Sequence, residues 1–391
     1  QKLLVLEELR SPVVNLVVAE LPKLEDLGDV SGKRVLVRTD FNVPLDNGEI
    51  RDELRIREAI PTLKYLVDNG AVVTACSHLG RPKGKVDDKY SLTPVRKRLN
   101  ELLPEVKLLD NLRFDPGEES NDPEFVHKLV EGQDLYVNDA FGASHRHHAS
   151  IVGPPQILPC ASGRLLQKEV EVLMQVRNNA KRPFVAILGG SKVSDKLGVI
   201  DALIQVVDKL LIGGGMCFTF LRASGHQIGS SLLEETHLEY CHRLLQSDAP
   251  IVLPHDFTAM DGNGKIGDPS AGGIVRQVGQ NIPDEWIGLD IGPGSAAAFG
   301  DVIEDSKTIL WNGPMGVFED PRFSAGTRHI AYCMAMNKSS FTVIGGGDSA
   351  AAAKEFGFDT QIDHVSTGGG ASLELIERGE LPGINALLRG N

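Results

Sequence analysis

The sequence predicts an α/β protein, two doubly wound parallel-sheet domains joined by a helix, on three observations. Its 391 residues exceed what one ordinary domain of ~100–200 residues holds. From Lys33 onward, short β-branched runs alternate with helical stretches, as in parallel sheets covered on both faces. A long charged stretch, 165–178, carries few turn residues and separates two regions of different character, so it is read as the joining helix.

The first strand, Arg34–Arg38, runs into Thr39-Asp40-Phe41-Asn42. A helix of mixed polarity follows near 55–69, then a strand over 71–76 that ends in Ser77-His78-Leu79-Gly80-Arg81-Pro82. Later strands are 106–109 and 135–137, the second running into Asn138-Asp139-Ala140-Phe141-Gly142. Beyond the joining helix, Phe184–Leu188, Lys209–Ile212, 308–311, Phe341–Ile344 and 364–366 read as buried strands. Each is followed by a glycine-bearing corner and a helical stretch.

Hydrophobic content of 41% with 24% charged residues is that of a globular protein. No apolar run approaches the ~18–20 residues that cross a bilayer, so no membrane partner is expected. The net charge of −13 argues against general affinity for nucleic acid, which demands cations against phosphates. Cys76, Cys160, Cys217, Cys241 and Cys333 are odd in number and form no C-x-x-C pair. They read as buried reduced thiols of a cytoplasmic protein. The sequence begins at Gln1, and 2–20 lacks the basic start and cleavage site of a signal peptide; no role is assigned to it. No oligomer interface is signalled, and a monomer is the default.

Ligands of open parallel sheets bind beyond the carboxyl ends of the strands, so the residues there decide the chemistry. In the first half these ends and nearby loops collect Asp40, Asn42, Arg55, His78, Arg81, Arg113 and Arg146. Arginine's planar fork suits phosphate and carboxylate, and such a set in an acidic protein suggests a pocket for a small, multiply charged anion. The plain alternative for any one arginine is a solvated or ion-paired surface residue. The run His145-Arg146-His147-His148 completes no zinc motif, and Arg146 is read as an anion contact.

In the second half the strand ends carry glycine: Gly189-Gly190-Ser191-Lys192, Gly213-Gly214-Gly215, Asn312-Gly313-Pro314, Gly345-Gly346-Gly347-Asp348 and Ser366-Thr367-Gly368-Gly369-Gly370. Glycine admits a ligand close to the backbone, and each following helix offers free N–H groups and a positive dipole end, which suits nucleotide phosphates. No Walker signature occurs, and no G-x-G-x-x-G opens the first strand–helix unit, which counts against a dinucleotide oxidoreductase. Lys192 and Lys196, four apart at a helix start, are expected to share one face and hold polyphosphate between them. Asp348 is a candidate for phosphate-bound Mg²⁺, with a helix N-cap as its plain alternative.

These stretches, with Val37–Pro44, Asn111–Phe114, Leu289–Pro293 and Trp311–Glu319, resemble the phosphoglycerate kinase family from about Leu21 to the C-terminus. The match is loose over 242–285, and about twenty residues precede the usual start. The resemblance implies a hinge-bending kinase that transfers a phosphoryl group reversibly between 1,3-bisphosphoglycerate and ADP, giving 3-phosphoglycerate and ATP, with Mg²⁺. It implies that Asp40 and Asn42 bind the hydroxyl and carboxyl end of 3-phosphoglycerate, and that His78, Arg81, Arg113 and Arg146 bind its phosphate. Arg55 and Lys192 would stabilise the transferring group, helped by backbone donors at Gly346, Gly369 and Gly370. Lys196 would bind nucleotide phosphates, Gly215, Gly292 and Asn312 would line the nucleotide pocket, and Glu319 would bind ribose. Gly346, Gly347, Asp348 and Ser349 would form the phosphate and Mg²⁺ loop. The expected division is 1–163 with 378–391, a joining helix 164–180, and 181–377. The competing reading is a catalytically silent nucleotide- and anion-binding protein of the same fold.

Overall fold

The computed structural model describes residues 21–390, so the segment before Leu21 lies outside the described residues. The chain divides into two compact units. The first runs to Met174 and regains the chain from Arg378; the second spans Gln175–Glu377.

In the first unit the strands are β1 (Arg34–Arg38), the hairpin β2 (Leu45–Asp46) and β3 (Glu49–Ile50), β4 (Val72–Cys76), β5 (Lys107–Leu108), β6 (Leu135–Asn138) and β7 (Cys160–Ser162). Five of them form one parallel sheet in the order β5-β4-β1-β6-β7. Counted in chain order within the sheet, that is 3-2-1-4-5. The apolar runs are buried on both faces, with Val35, Val37, Ala75 and Val137 packed against Ile56, Leu63 and Leu66 of the helix Leu54–Asp68. Register sets Arg38 level with Cys76 and with Asn138, so the loops leaving β1, β4 and β6 emerge together.

The helix Arg164–Asn179 begins in this unit, where the Leu165 and Leu166 N–H groups donate to Asp139 Oδ1 and the Arg164 N–H donates to the Thr62 hydroxyl. The unit division falls within this helix. At the C-terminus, helix Pro382–Arg389 packs back on the first unit, with the Gly383 N–H on the Ser144 carbonyl at 2.9 Å.

The second unit contains β8 (Phe184–Leu188), β9 (Lys209–Ile212), β10 (Ile251–Val252), β11 (Asp256–Asp261), β12 (Val275–Gly279), β13 (Trp286–Ile291), β14 (Thr308–Asn312), β15 (Phe341–Ile344) and β16 (His364–Val365). Six form a parallel sheet, β10-β9-β8-β14-β15-β16, which counted in chain order is 3-2-1-4-5-6, the doubly wound order. Asn312 is level with Leu188, and Leu188 with Ile212, so the glycine corners share one edge. The core holds Ile187, Ile309 and Trp311 against Phe299 and Ile303 of helix Pro293–Glu304 and Ile330 and Met334 of helix Ala325–Met336.

The expected strands all occur, with ends shifted by a residue or two. The sequence reading lacked β7, which has no β-branched residue, the short strand β10, the hairpin β2–β3 and the antiparallel sheet β12-β11-β13. Exposed Arg276 and Gln277 on β12 obscure the apolar pattern by which a strand is read.

Phe299 is 1% exposed at the centre of this core. Phe299→Ala should lower the unfolding free energy of the second unit by about 3–5 kcal/mol in urea titration; a loss below about 1 kcal/mol would show that the site collapses around the cavity.

Candidate functional site

In each unit the first strand of the sheet lies at the switch in strand order, where the carboxyl edge opens a crevice. In the first unit β1 and β6 flank it; in the second, β8 and β14 do.

At the first edge Asp40 is almost fully buried and Arg55, from the start of helix Leu54–Asp68, forms an ion pair with it. Burial pushes the Asp40 pKa up, but Arg55, His78 and Arg38 outweigh it and hold the carboxyl at about 2. Asn42 Oδ1 accepts the Gly80 N–H at 2.9 Å, and Arg113 Nη1 donates to the Gly80 carbonyl at 2.8 Å. Gly80 itself has φ +61°, and a side chain there would strike the Tyr90 ring. Three loops are thereby tied together, and Arg113 Nε also lies 3.4 Å from Glu119 Oε1. Arg81 and Arg146 are exposed at the same edge.

Three imidazoles stand among these arginines. Burial holds the His78 pKa well below its usual value, and burial brings His145 and His148 to about 4, with nearby arginines adding to the effect in all three. All three are neutral at pH 7, so arginine carries the positive charge around them at that pH. The same arginines repel a metal cation from the 145–148 run.

Sequence reasoning missed Arg38 as a site residue. It is wholly buried at the end of β1, 3.2 Å from His78 Nδ1, and faces the equally buried Glu118. The signal was a charged residue closing an apolar strand in a parallel sheet, where charge is costly unless it is paired.

At the second edge a cavity of about 330 Å³ is lined by Lys192, Lys196, Asn312, Gly346, Gly347, Asp348, Gly369 and Gly370, among others. Helices Gly347–Glu355 and Gly370–Arg378 start at it, and helix N-termini favour anions. Asn312 accepts from Lys196 Nζ through Oδ1 and donates to the Gly345 carbonyl at 2.9 Å, which fixes its amide. Ser349 lies beneath, its hydroxyl accepting the Gly313 N–H at 2.6 Å. Gly214, at φ +64°, lets the next corner approach the Gly190 backbone, where a side chain would collide.

The two lysines do not share a helical face. The helix starts only at Leu197; Lys196 is its N-cap and Lys192 is exposed in the preceding loop. The Glu234 carboxylate accepts the Val193 N–H at 2.5 Å, the Ser194 N–H at 3.1 Å and the Ser194 hydroxyl at 2.5 Å, so this backbone bonds outward and does not coil. Both lysines nevertheless reach the same cavity.

Adjoining it, and sharing Gly190, Ser191 and Asp348, is an apolar slot of about 300 Å³. Phe218 and Phe257, with ring centroids 5.0 Å apart, help form its wall. Leu232 and Ile266, two of the large apolar residues left exposed, line it as well. Gly215 lies within it, and the exposed Glu319 also borders it. Gly292 lines neither cavity; it caps helix Pro293–Glu304, where a side chain would strike Asp256. An apolar slot opening onto a lysine- and glycine-lined corner fits a flat base joined to a polyphosphate.

Asp348, exposed in the first turn of its helix, borders both cavities. Among the described residues no three His, Cys, Asp or Glu side chains converge on a metal position. A single carboxylate beside a phosphate corner is the donor set that suits Mg²⁺, which takes one or two carboxylates and completes its shell with phosphate oxygens and water.

The family described as phosphoglycerate kinase matches residues 24–108 and 104–379. Phosphoglycerate kinase of Salinispora tropica is 50% identical, covering 93% of this chain and 98% of that protein. The Thermosipho africanus enzyme is 47% identical, covering 92% and 96%. The solved structure of phosphoglycerate kinase from Coxiella burnetii has a TM-score of 0.85 at 35% identity, covering 94% of this chain and 99% of its own.

Burial lowers the Lys196 pKa to about 8, against the opposing pull of Asp195 and Asp348. The ammonium is mostly charged at pH 7 and lost as pH rises through 8, so affinity for inorganic tripolyphosphate should weaken about tenfold between roughly pH 7 and pH 9. Calorimetric titration checks this, and Lys196→Met should remove the dependence; an unchanged slope in that variant would assign it to another group.

Proposed function

Because the chain belongs to the phosphoglycerate kinase family, we propose that it transfers a phosphoryl group reversibly from 1,3-bisphosphoglycerate to ADP, giving 3-phosphoglycerate and ATP with Mg²⁺. It is a glycolytic phosphotransferase with a carboxyl group as acceptor. The observation that carries the finer reading is the junction in the second unit between an apolar slot and a lysine-lined corner faced by two helix N-termini.

The first unit then takes the anionic substrate. Asp40 and Asn42 meet its hydroxyl and carboxyl end, and His78, Arg81, Arg113 and Arg146 hold its phosphate. In the second unit the base enters the slot, Glu319 takes the ribose, and Lys196 with Asn312 and the 346–349 corner takes the phosphates. Gly215 and Gly292 shape the surrounding backbone. Asp348 would hold the Mg²⁺ that neutralises phosphate charge.

Phosphoryl transfer of this kind asks little covalent chemistry of the protein. The leaving group is a carboxylate and the attacking group an ADP oxygen, so ATP formation needs no protein general base. What accelerates it is positioning, and positive charge on the equatorial oxygens of a metaphosphate-like group. Arg55, Lys192 and the N–H groups at Gly346, Gly369 and Gly370 supply that charge. Arg55 is held for the task by Asp40, whose pKa of about 2 keeps it ionised throughout the working range. We place the reaction in the cytosol, whose reducing conditions suit five cysteines none of which is in a disulfide, and take a monomer as the default.

ATP formation from ADP and enzymatically generated 1,3-bisphosphoglycerate, with and without Mg²⁺, tests the reading. Arg55→Ala and Lys192→Ala should each lower kcat by about 10²-fold, the loss that follows removal of a preorganised donor. Near-normal turnover in either variant rejects its role. A folded wild-type chain that binds ADP and turns nothing over would be a silent binder.

A further inference from the structure

Behind the anion site of the first unit lies a polar network closed to solvent. Arg38 and Glu118 are both fully buried, with Nη2 3.8 Å from Oε1. Ser150 joins them: its hydroxyl accepts the Arg38 Nε–H at 2.7 Å and donates to Glu118 Oε1 at 2.6 Å, while its backbone N–H donates to Oε2 at 2.9 Å. The Tyr136 hydroxyl donates to the Ser150 carbonyl at 2.7 Å, and Arg38 Nη1 donates to the Thr39 carbonyl at 2.5 Å. With Nε and Nη1 engaged in this way, the guanidinium is fixed so that Nη2 lies 3.2 Å from His78 Nδ1.

A guanidinium has donors only and stays charged at any useful pH. Nδ1 of His78 must therefore accept, and a neutral imidazole accepting at Nδ1 carries its proton on Nε2. Protonating both nitrogens would set N–H against N–H. Burial also disfavours the cation, with Arg38, Arg113 and Arg55 adding to that effect and Asp40 opposing it.

We propose that Glu118 and Ser150 are positioning residues, which act through Arg38 to lock His78 as its neutral Nε2–H tautomer, a fixed donor to an oxygen of the anionic substrate. The role in substrate binding rests on reading this edge as the 3-phosphoglycerate site; the tautomer does not. Glu118 carries the carboxylate that Ser150 contacts and that faces Arg38, and removing it leaves a buried cation without that counter-charge. Arg38 then has reason to shift, and His78 is released to carry its proton on Nδ1, which leaves Nε2 as a lone pair facing where a donor is needed.

Long-range ¹H–¹⁵N spectra of the full wild-type chain at neutral pH, with His78 assigned by its loss in His78→Gln, read the tautomer with no substrate present. A single neutral Nε2–H form is expected; the Nδ1–H form or an imidazolium overturns the proposal. Glu118→Gln and the milder Ser150→Ala should mix in the Nδ1–H form. They should also raise KM for 3-phosphoglycerate as the Nε2–H fraction falls, about twofold for an even mixture and up to about tenfold for its near-complete loss, and leave KM for ATP unchanged. If Glu118→Gln does not fold, Ser150→Ala decides, since it removes only the bridging hydroxyl. An unaltered tautomer and KM in a folded variant overturns the positioning role. A chain with the expected tautomer and no phosphotransfer would refute the kinase reading and leave the tautomer lock standing.

Discussion

A parallel strand must hand its chain to a crossover of fixed hand, and where successive crossovers run to opposite faces the sheet edge between them is left uncovered. Both sheets of this protein have one such place, beside β1 in the first and beside β8 in the second. Backbone N–H groups there have no strand to bond, so they are satisfied by side chains such as Asn42 and Ser349, or are left for a ligand. The site chemistry follows from that constraint. Strand register sets the ends of β1, β4 and β6 level, and those of β8, β9 and β14 level, so residues distant in sequence line one edge.

The two edges solve opposite electrostatic problems. The first concentrates positive charge in a protein of net charge −13, and does so with arginine while its histidines are kept neutral. Arginine, unlike histidine, keeps its charge at any useful pH. Its cost is a buried ion pair, Arg38 with Glu118, tolerable because Ser150 and backbone groups satisfy the remaining hydrogen bonds. The second edge uses less fixed charge. Two lysines and two helix N-termini act where glycine removes side-chain bulk, and Asn312 holds Lys196 in place before any ligand arrives. An anion bound there would keep Lys196 charged, since burial alone disfavours its ammonium.

Much of this was legible because it is local. The strands Arg34–Arg38, Phe184–Leu188, Lys209–Ile212 and Phe341–Ile344 are apolar runs ended by turn chemistry, and that pattern survives in any window of ten residues. The glycine corners and Arg55, Arg81, Arg113 and Arg146 were visible for the same reason, residue type and place near the strand ends, whereas Arg38, inside a strand, was not. The walls of the apolar slot were not. Phe218, Leu232, Phe257, Ile266 and Met315 come from five separate segments, and each one read alone is an ordinary core or surface residue. Glu234 likewise gives no sign in sequence that it will hold the loop before a helix some forty residues earlier and so delay its start to Leu197.

By itself, then, the sequence determined the α/β class, most strands of the two parallel sheets but not β7 or β10, and the residue types at their carboxyl ends, because short-range hydrophobic period and turn chemistry encode these. Only the tertiary structure decided which of those residues meet. The level strand ends, the start of the helix at Leu197 and not before Lys192, and the pairing of Arg38 with Glu118, eighty positions away, all depend on long-range contacts. Such contacts are selected by the packing and solvation of the whole unit, and a burial penalty that forces a charge to find its partner has no local signature.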